Sequence, residues 1–183
     1  RYFADIYGVP MSIRDKRIED VLKRVNLLDK ADTRVEDYSR GMKQRLHIAK
    51  GIIHDPELIF MDELTIGLDP EAARDARDMT KELVAEGKTV LLTTHYMYEA
   101  DELCDRIGVI ARGKIVALDT PQNLMARQGV WAADTLHGEE LRTRYFTNAE
   151  AAKRELAGHE GGFTLRRVNL EDSFLALTGK KIQ

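Results

Sequence analysis

Apolar positions recur along this chain in two periods. Ile18, Val21, Leu22 and Val25 are three and four residues apart, which predicts a helix with one face packed inward. Ser12 followed by Asp15 is close to a capping box and predicts the start of that helix. Gly8-Val9-Pro10 separates it from a first short helix. Met42, Leu46, Ala49 and Ile53 form a second helical stripe, with Ser39 as its N-cap. Ala73, Ala76, Met79 and Leu83 form a third, opened by Asp69-Pro70 (N-cap, then proline at the first helical position) and closed by Gly87 as C-cap. Between these helices the period changes. Leu58-Ile59-Phe60-Met61 reads as a short buried strand. Thr89-Val90-Leu91-Leu92-Thr93-Thr94 reads as a parallel core strand beside it. A strand, a helix and a strand at these lengths imply a right-handed crossover, which brings the carboxyl ends of both strands to one edge. Asp29 to Glu36 is polar and reads as an irregular approach to the second stripe.

After residue 95 the elements shorten. Glu99-Ala100-Asp101-Glu102 predicts a short acidic helix and Arg106 to Ile110 a strand. Arg112-Gly113-Lys114 makes a tight hairpin into Ile115-Val116-Ala117-Leu118. From about Pro121 glycine and scattered charge increase. Asn148 to Leu156 reads as helix, Phe163 to Val168 as strand, and Leu170 to Leu177 as helix with Phe174 inward, a small α+β set.

Composition narrows the function classes. The 183 residues are 43% apolar and 32% charged, as in soluble globular proteins, and can bury one good core. A net charge of −3 gives no electrostatic case for nucleic acid as the main partner. One cysteine, Cys104, permits no internal disulfide and suits a reducing compartment. No apolar run approaches the roughly 20 residues that span a bilayer, so membrane association has to go through a partner. His47, His54, His137 and His159 show no metal-ligand spacing and read as surface or partly buried residues.

The chemistry concentrates where the two strands end. In open parallel sheets ligands bind at the carboxyl ends of the strands, and there the first strand delivers Asp62 and Glu63. Asp62 can hold a magnesium ion, and Glu63 can orient or deprotonate a water attacking a γ-phosphate. His95, at the end of the neighbouring strand, can hydrogen-bond a γ-phosphate or that water as a sensor and positioning group. The capped helix start at Ser39 offers unpaired N–H groups and a positive dipole end to phosphate, and Gly41 lets the backbone approach closely.

The run from Tyr38 to His95 resembles the second half of an ABC-type ATPase domain. Tyr38-Ser39-Arg40-Gly41-Met42-Lys43-Gln44-Arg45 is similar to the signature sequence, with Ser39, Gly41 and Gln44 matching. Asp62 and Glu63 stand at the Walker B aspartate and the catalytic glutamate, Gly67-Leu68-Asp69 at the D-loop, and His95 at the switch histidine. Four motifs in this order make a specific match. The resemblance implies an α/β fold of the P-loop NTPase type, a parallel sheet with helices that is incomplete at the N-terminus, plus a small α+β C-terminal extension. It places the nucleotide-binding portion at residues 1–120, its helical subdomain at about 1–54, and the extension at 121–183. It implies ATP and Mg2+ as cofactors, with Ser39, Arg40, Gly41, Met42, Gln44 and Asp69 among the nucleotide contacts across a dimer interface.

Two positions depart from the family pattern. Arg40 replaces the commoner glycine, and Leu64 replaces the proline after the catalytic glutamate, which frees a backbone φ and adds an N–H. Gly87-Lys88-Thr89 is the only G-K-[ST] in the chain and is not a P-loop, G-x-x-x-x-G-K-[ST], since it follows a helix and Glu82 stands where the first glycine belongs. The resemblance implies a P-loop upstream of Arg1. The chain is therefore read as part of a longer protein and as inactive alone. The ending from Leu170 to Gly179 is similar to ATPases that serve ABC-2-type exporters. The partners so implied are a transmembrane permease subunit and a second nucleotide-binding subunit, with no nucleic acid, at the cytoplasmic face of the membrane. A soluble ABC-type ATPase of DNA repair or translation, and a non-enzymatic truncated regulatory module, are the alternatives.

Overall fold

The computed structural model describes residues 1–137, 140–157 and 161–179. These fall into two compact units, one running from Arg1 to His95 and the other beginning at Tyr96.

The first unit contains α1 (Tyr2–Ile6), α2 (Met11–Arg24), two 3-10 turns (Leu28–Lys30 and Val35–Asp37), α3 (Arg40–Ile52), β1 (Leu58–Asp62), α4 (Pro70–Ala85) and β2 (Thr89–Thr93). β1 and β2 pair in parallel, Leu58 opposite Thr89 through Asp62 opposite Thr93, as the crossover predicts. Ile59 and Met61 of β1 pack with Val21, Val25, Leu27, Ile48, Ile52, Met79 and Leu83 into one core. The α4 stripe of Ala73, Ala76, Met79 and Leu83 is buried as its spacing predicts.

Helix ends are satisfied locally. Asp69 Oδ1 accepts the Ala72 N–H at 3.0 Å. At the other end of α4, Gly87 adopts φ +87. Its N–H reaches the Val84 carbonyl at 2.9 Å and the Lys88 N–H reaches that of Leu83 at 3.0 Å, the double bond of a Schellman stop. Gly87-Lys88-Thr89 is thus a helix end leading into a strand. Arg17 of α2 donates to the carbonyls of Ile52 and Ile53, both at 3.0 Å, satisfying the last turn of α3.

Three expectations need correction. β1 is not buried on both faces: Phe60 is 71% and Leu58 48% exposed, because alternate strand residues point to opposite faces and the core lies on one of them. Leu91 of β2, opposite Phe60, shares that exposed face. α2 begins at Met11, with Pro10 at the N-cap and no side-chain cap. The fixed φ of proline already suits a helix entrance, so Ser12 lies within the first turn. The approach at 29–36 is ordered into the two 3-10 turns.

The second unit contains α5 (Met97–Leu103), β3 (Ile107–Ala111), β4 (Lys114–Asp119), α6 (Pro121–Ala126), β5 (Trp131–His137), β6 (Glu140–Phe146), α7 (Ala149–Leu156), β7 (Phe163–Arg167) and α8 (Leu170–Thr178). β3 and β4 form an antiparallel hairpin with an irregularity at Val109/Ile110. β6, β5 and β7 form a second antiparallel sheet in that order. Leu170 is buried with Ala100, Val109, Ala117 and Leu124, and Phe174 packs against them. The C-terminal helix therefore shares a core with the β3–β4 hairpin. Ser173 Oγ donates to the Leu124 carbonyl at 3.1 Å.

A charged network ties the second sheet to α8. Arg166 of β7 donates to Asp134 of β5 at 2.8 Å and to both carboxylate oxygens of Asp172 at 2.7 and 2.9 Å. Asp172 also completes a capping box with Asn169 and accepts from the Tyr145 hydroxyl at 3.3 Å. Burial pushes the Asp172 carboxyl up, yet the bonds from Arg166 and from the Asn169 N–H outweigh it and hold the group below its ordinary value. Burial and the adjacent Asp172 push the Tyr145 phenol up to about 12.

The sign of the acid response follows. A carboxyl whose folded pKa is depressed contributes stability above its unfolded pKa, near 3.9, and loses it as pH falls through the folded value. Thermal unfolding followed by circular dichroism is expected to show the Asp172 contribution constant from pH 7 to about 5 and lost progressively below about pH 4. An unfolding midpoint that rises on acidification through that window would contradict this.

Candidate active site

Parallel pairing sets the site. Because Asp62 lies opposite Thr93, both strands end at one edge, and Glu63 and His95 leave it side by side. Thr93 Oγ1 donates to Asp62 Oδ1, and the Glu63 N–H donates to the Thr93 carbonyl at 3.0 Å. His95 Nδ1 is 3.1 Å from Glu63 Oε1. The two side chains are 54% and 45% exposed, so this edge is open to solvent and to a ligand. Glu63 has φ +46, a left-handed backbone that costs a non-glycine residue on the order of 1–3 kcal/mol. A proline at 64 would bias residue 63 toward extended backbone, whereas Leu64 leaves it free to turn. Leu64 is only 4% exposed.

The second group of candidate residues surrounds the start of α3. Ser39 Oγ accepts the Met42 N–H at 3.2 Å and caps the helix. Gly41 faces α4 closely enough that a Cβ on it would lie 3.1 Å from that of Ala72, so the first turns of α3 and α4 sit side by side. Arg40 lies over Gly67, where a Cβ would meet its guanidinium at 2.6 Å. With φ +67 as well, position 67 excludes a side chain twice over. Met42 is half-buried against the core. Asp69, the α4 cap, has its carboxylate on the Ala72 N–H. Gln44 connects the groups: its Nε2 donates to the Leu64 carbonyl at 2.9 Å.

Asp62, Glu63 and His95 are thus brought together at the strand ends, and Ser39, Arg40, Gly41 and Asp69 at the paired helix starts. The sequence reading did not find Thr93 as the partner of Asp62, the Arg40–Gly67 contact or the Gln44–Leu64 bond. The first of these was available from the parallel register. The other two depend on how α3 seats against the turns after β1. Among the remaining histidines, His54 stacks on Tyr7 with ring centroids 4.4 Å apart and His47 is exposed. The His137 side chain and His159 lie outside the described residues.

The oxygen donors at the strand ends suit a hard cation. Magnesium takes one or two carboxylates and keeps waters or phosphate oxygens for its other positions. The Asp62 carboxylate, oriented by Thr93, has the donor chemistry that such a cation takes.

A family model for the ABC transporter matches residues 5–66. The Nod factor export ATP-binding protein I of Cupriavidus metallidurans is 35% identical over 204 residues, covering 100% of this chain and 67% of that protein. The chain belongs to the ABC transporter ATP-binding family. The fluoroquinolones export ATP-binding protein of Mycobacterium tuberculosis is 38% identical over 195 residues, covering 100% of this chain and 62% of that protein. A solved structure of an ATP-binding subunit of an ABC transporter superposes with a TM-score of 0.60 at 27% identity, over 69% of this chain and 53% of the other. The fold is accordingly that of the ABC ATPases, a P-loop NTPase-like α/β arrangement. The chain spans 62% and 63% of the length of relatives such as the fluoroquinolones and Cupriavidus pinatubonensis Nod factor export proteins. No helix among the described residues is long and apolar enough to cross a membrane.

Proposed function

We propose that this ABC ATPase chain belongs to the ATP-hydrolysing motor subunit of an exporter, which couples turnover at a dimer interface to movement of a membrane permease. The single observation that carries this reading is the convergence of Asp62, Glu63 and His95 at one sheet edge, with His95 Nδ1 3.1 Å from Glu63 Oε1. Bound ATP–Mg2+ supplies a γ-phosphorus open to in-line attack by water. Asp62 holds the cation, its carboxylate fixed by Thr93. Glu63 accepts a hydrogen bond or proton from the attacking water. His95 positions Glu63 and donates toward the γ-phosphate. The α3 start, at Ser39, Arg40, Gly41 and Met42, meets the nucleotide held by a second, identical subunit, with N–H groups and a dipole end suited to anions, and Asp69 lies at the same interface.

Functionally, residues 1–120 serve as the nucleotide-binding portion and 121–183 as an extension, although the compact units divide at His95. The names of the relatives support export in preference to DNA repair or translation. Specificity for the exported molecule resides in the permease, and the motor works peripherally at the cytoplasmic face.

The 183 residues alone lack the P-loop backbone cradle and lysine that fix the β- and γ-phosphates. In a coupled-enzyme assay the intact subunit is expected to hydrolyse ATP and the purified 183-residue chain is not. Turnover by the verified 183-residue chain, abolished by Glu63→Gln, would refute that second statement. An intact subunit without Mg2+-dependent turnover, alone and with its permease, would refute the first.

A further inference from the structure

We infer that Gln44 is a positioning residue for Glu63, carrying the placement of α3 to the catalytic turn; this rests on the function proposed above. The turn is held from several sides. The Glu63 N–H donates to the Thr93 carbonyl at 3.0 Å, and its carbonyl accepts the Ile66 N–H at 3.2 Å. The Leu64 side chain is buried in the core of the first unit, and the Leu64 carbonyl accepts Gln44 Nε2 at 2.9 Å. Unlike the other bonds, the last comes from α3. Gln44 lies five residues beyond Ser39 and three beyond Gly41, close enough along a rigid helix for a displacement at the helix start to reach it.

Glu63 sits at φ +46, a conformation that persists where its surroundings over-determine it. Fixing the Leu64 carbonyl restrains the Leu64–Thr65 peptide, one beyond the peptide that follows Glu63. Together with the buried Leu64 side chain it holds the turn, and with it the direction of the Glu63 carboxylate toward His95. The consequence concerns two sites at once. The α3 start of one subunit serves the nucleotide of its partner, while Glu63 serves its own. Gln44 therefore links occupancy of one site to the aim of the carboxylate in the other. Leu64 suits this role, since its side chain anchors the turn while its backbone leaves Glu63 free to turn.

Two variants of the intact subunit test this. Gln44→Leu keeps the bulk and removes the donor; Gln44→Lys keeps a donor on a flexible stem. Gln44→Leu is expected to lower kcat about tenfold with the KM for ATP unchanged, as displacement of a reacting group does. It is also expected to shift the imidazole NMR resonances of His95, which sense Glu63 across 3.1 Å. Gln44→Lys is expected to recover part of both. Wild-type kcat and unmoved His95 resonances in Gln44→Leu would overturn the inference. So would a raised KM with kcat and resonances unchanged, which would place Gln44 on the nucleotide. If the wild-type subunit does not hydrolyse ATP, the functional reading fails, and the His95 resonances still decide whether Gln44 aims Glu63.

Discussion

Glu63→Gln in the intact subunit is expected to lower kcat by about 10²- to 10⁴-fold, the range over which a positioned general base contributes, while ATP binding persists. The substitution keeps the shape of the side chain. It also keeps an amide oxygen that can stay near His95 Nδ1, which lies 3.1 Å from Glu63 Oε1. The carboxylate is lost, and with it the ability to take a proton from water. The backbone at φ +46 is left as it was, since glutamine and glutamate pay the same cost there. Steady-state ATPase rates, nucleotide affinity from a fluorescent ATP analogue and a thermal melt together check the result. A fall in rate with unchanged affinity and melting temperature assigns the loss to chemistry. A variant that hydrolyses ATP at the wild-type rate would remove Glu63 from the reaction and leave it a strand-end charge.

The sequence made part of this site readable because the relevant constraints are local. Asp69-Pro70 and Gly87 act within their own helix ends, and the stripe Ala73, Ala76, Met79 and Leu83 needs only one helix to show its period. The parallel pairing of β1 and β2 followed from strand lengths and crossover handedness. What stayed hidden depends on contacts between distant segments. Gln44 reaches the Leu64 carbonyl twenty residues away, and Arg40 lies against Gly67; neither leaves a periodic trace. β5 and β6 were missed for another reason. Ala132 and Ala133 are both wholly buried, yet alanine carries no strand signal. β6 is an edge strand in Glu140–Phe146, with charged Arg142 and Arg144 exposed, and edge strands tolerate charge. Such a segment reads as polar loop until its partner is known.

Arg166→Met is expected to destabilise the protein by about 3 kcal/mol or more, a shift in melting temperature on the order of 10 °C. The arginine contacts two carboxylates, and the Asp172 side chain is 5% and that of Asp134 16% exposed. Removing it leaves both with little water to replace its bonds. The cost of breaking such a network exceeds the net worth of having it. Replacing Asp134, Arg166 and Asp172 together by apolar residues of similar size should therefore cost less than Arg166→Met alone. Acidity separates this account from simple loss of packing. In the wild type the bonds from Arg166 and Asn169 overcome the upward push of burial on Asp172, so acid weakens the fold. Without Arg166 that upward push dominates, the folded state holds a proton more tightly than the unfolded chain, and acid relieves the variant. The two melting curves should converge as pH falls from 7 toward 4. A deficit that stays constant over that interval would mean that Arg166 contributes through its aliphatic stem, and the charged network would lose its claim on the fold of the second unit.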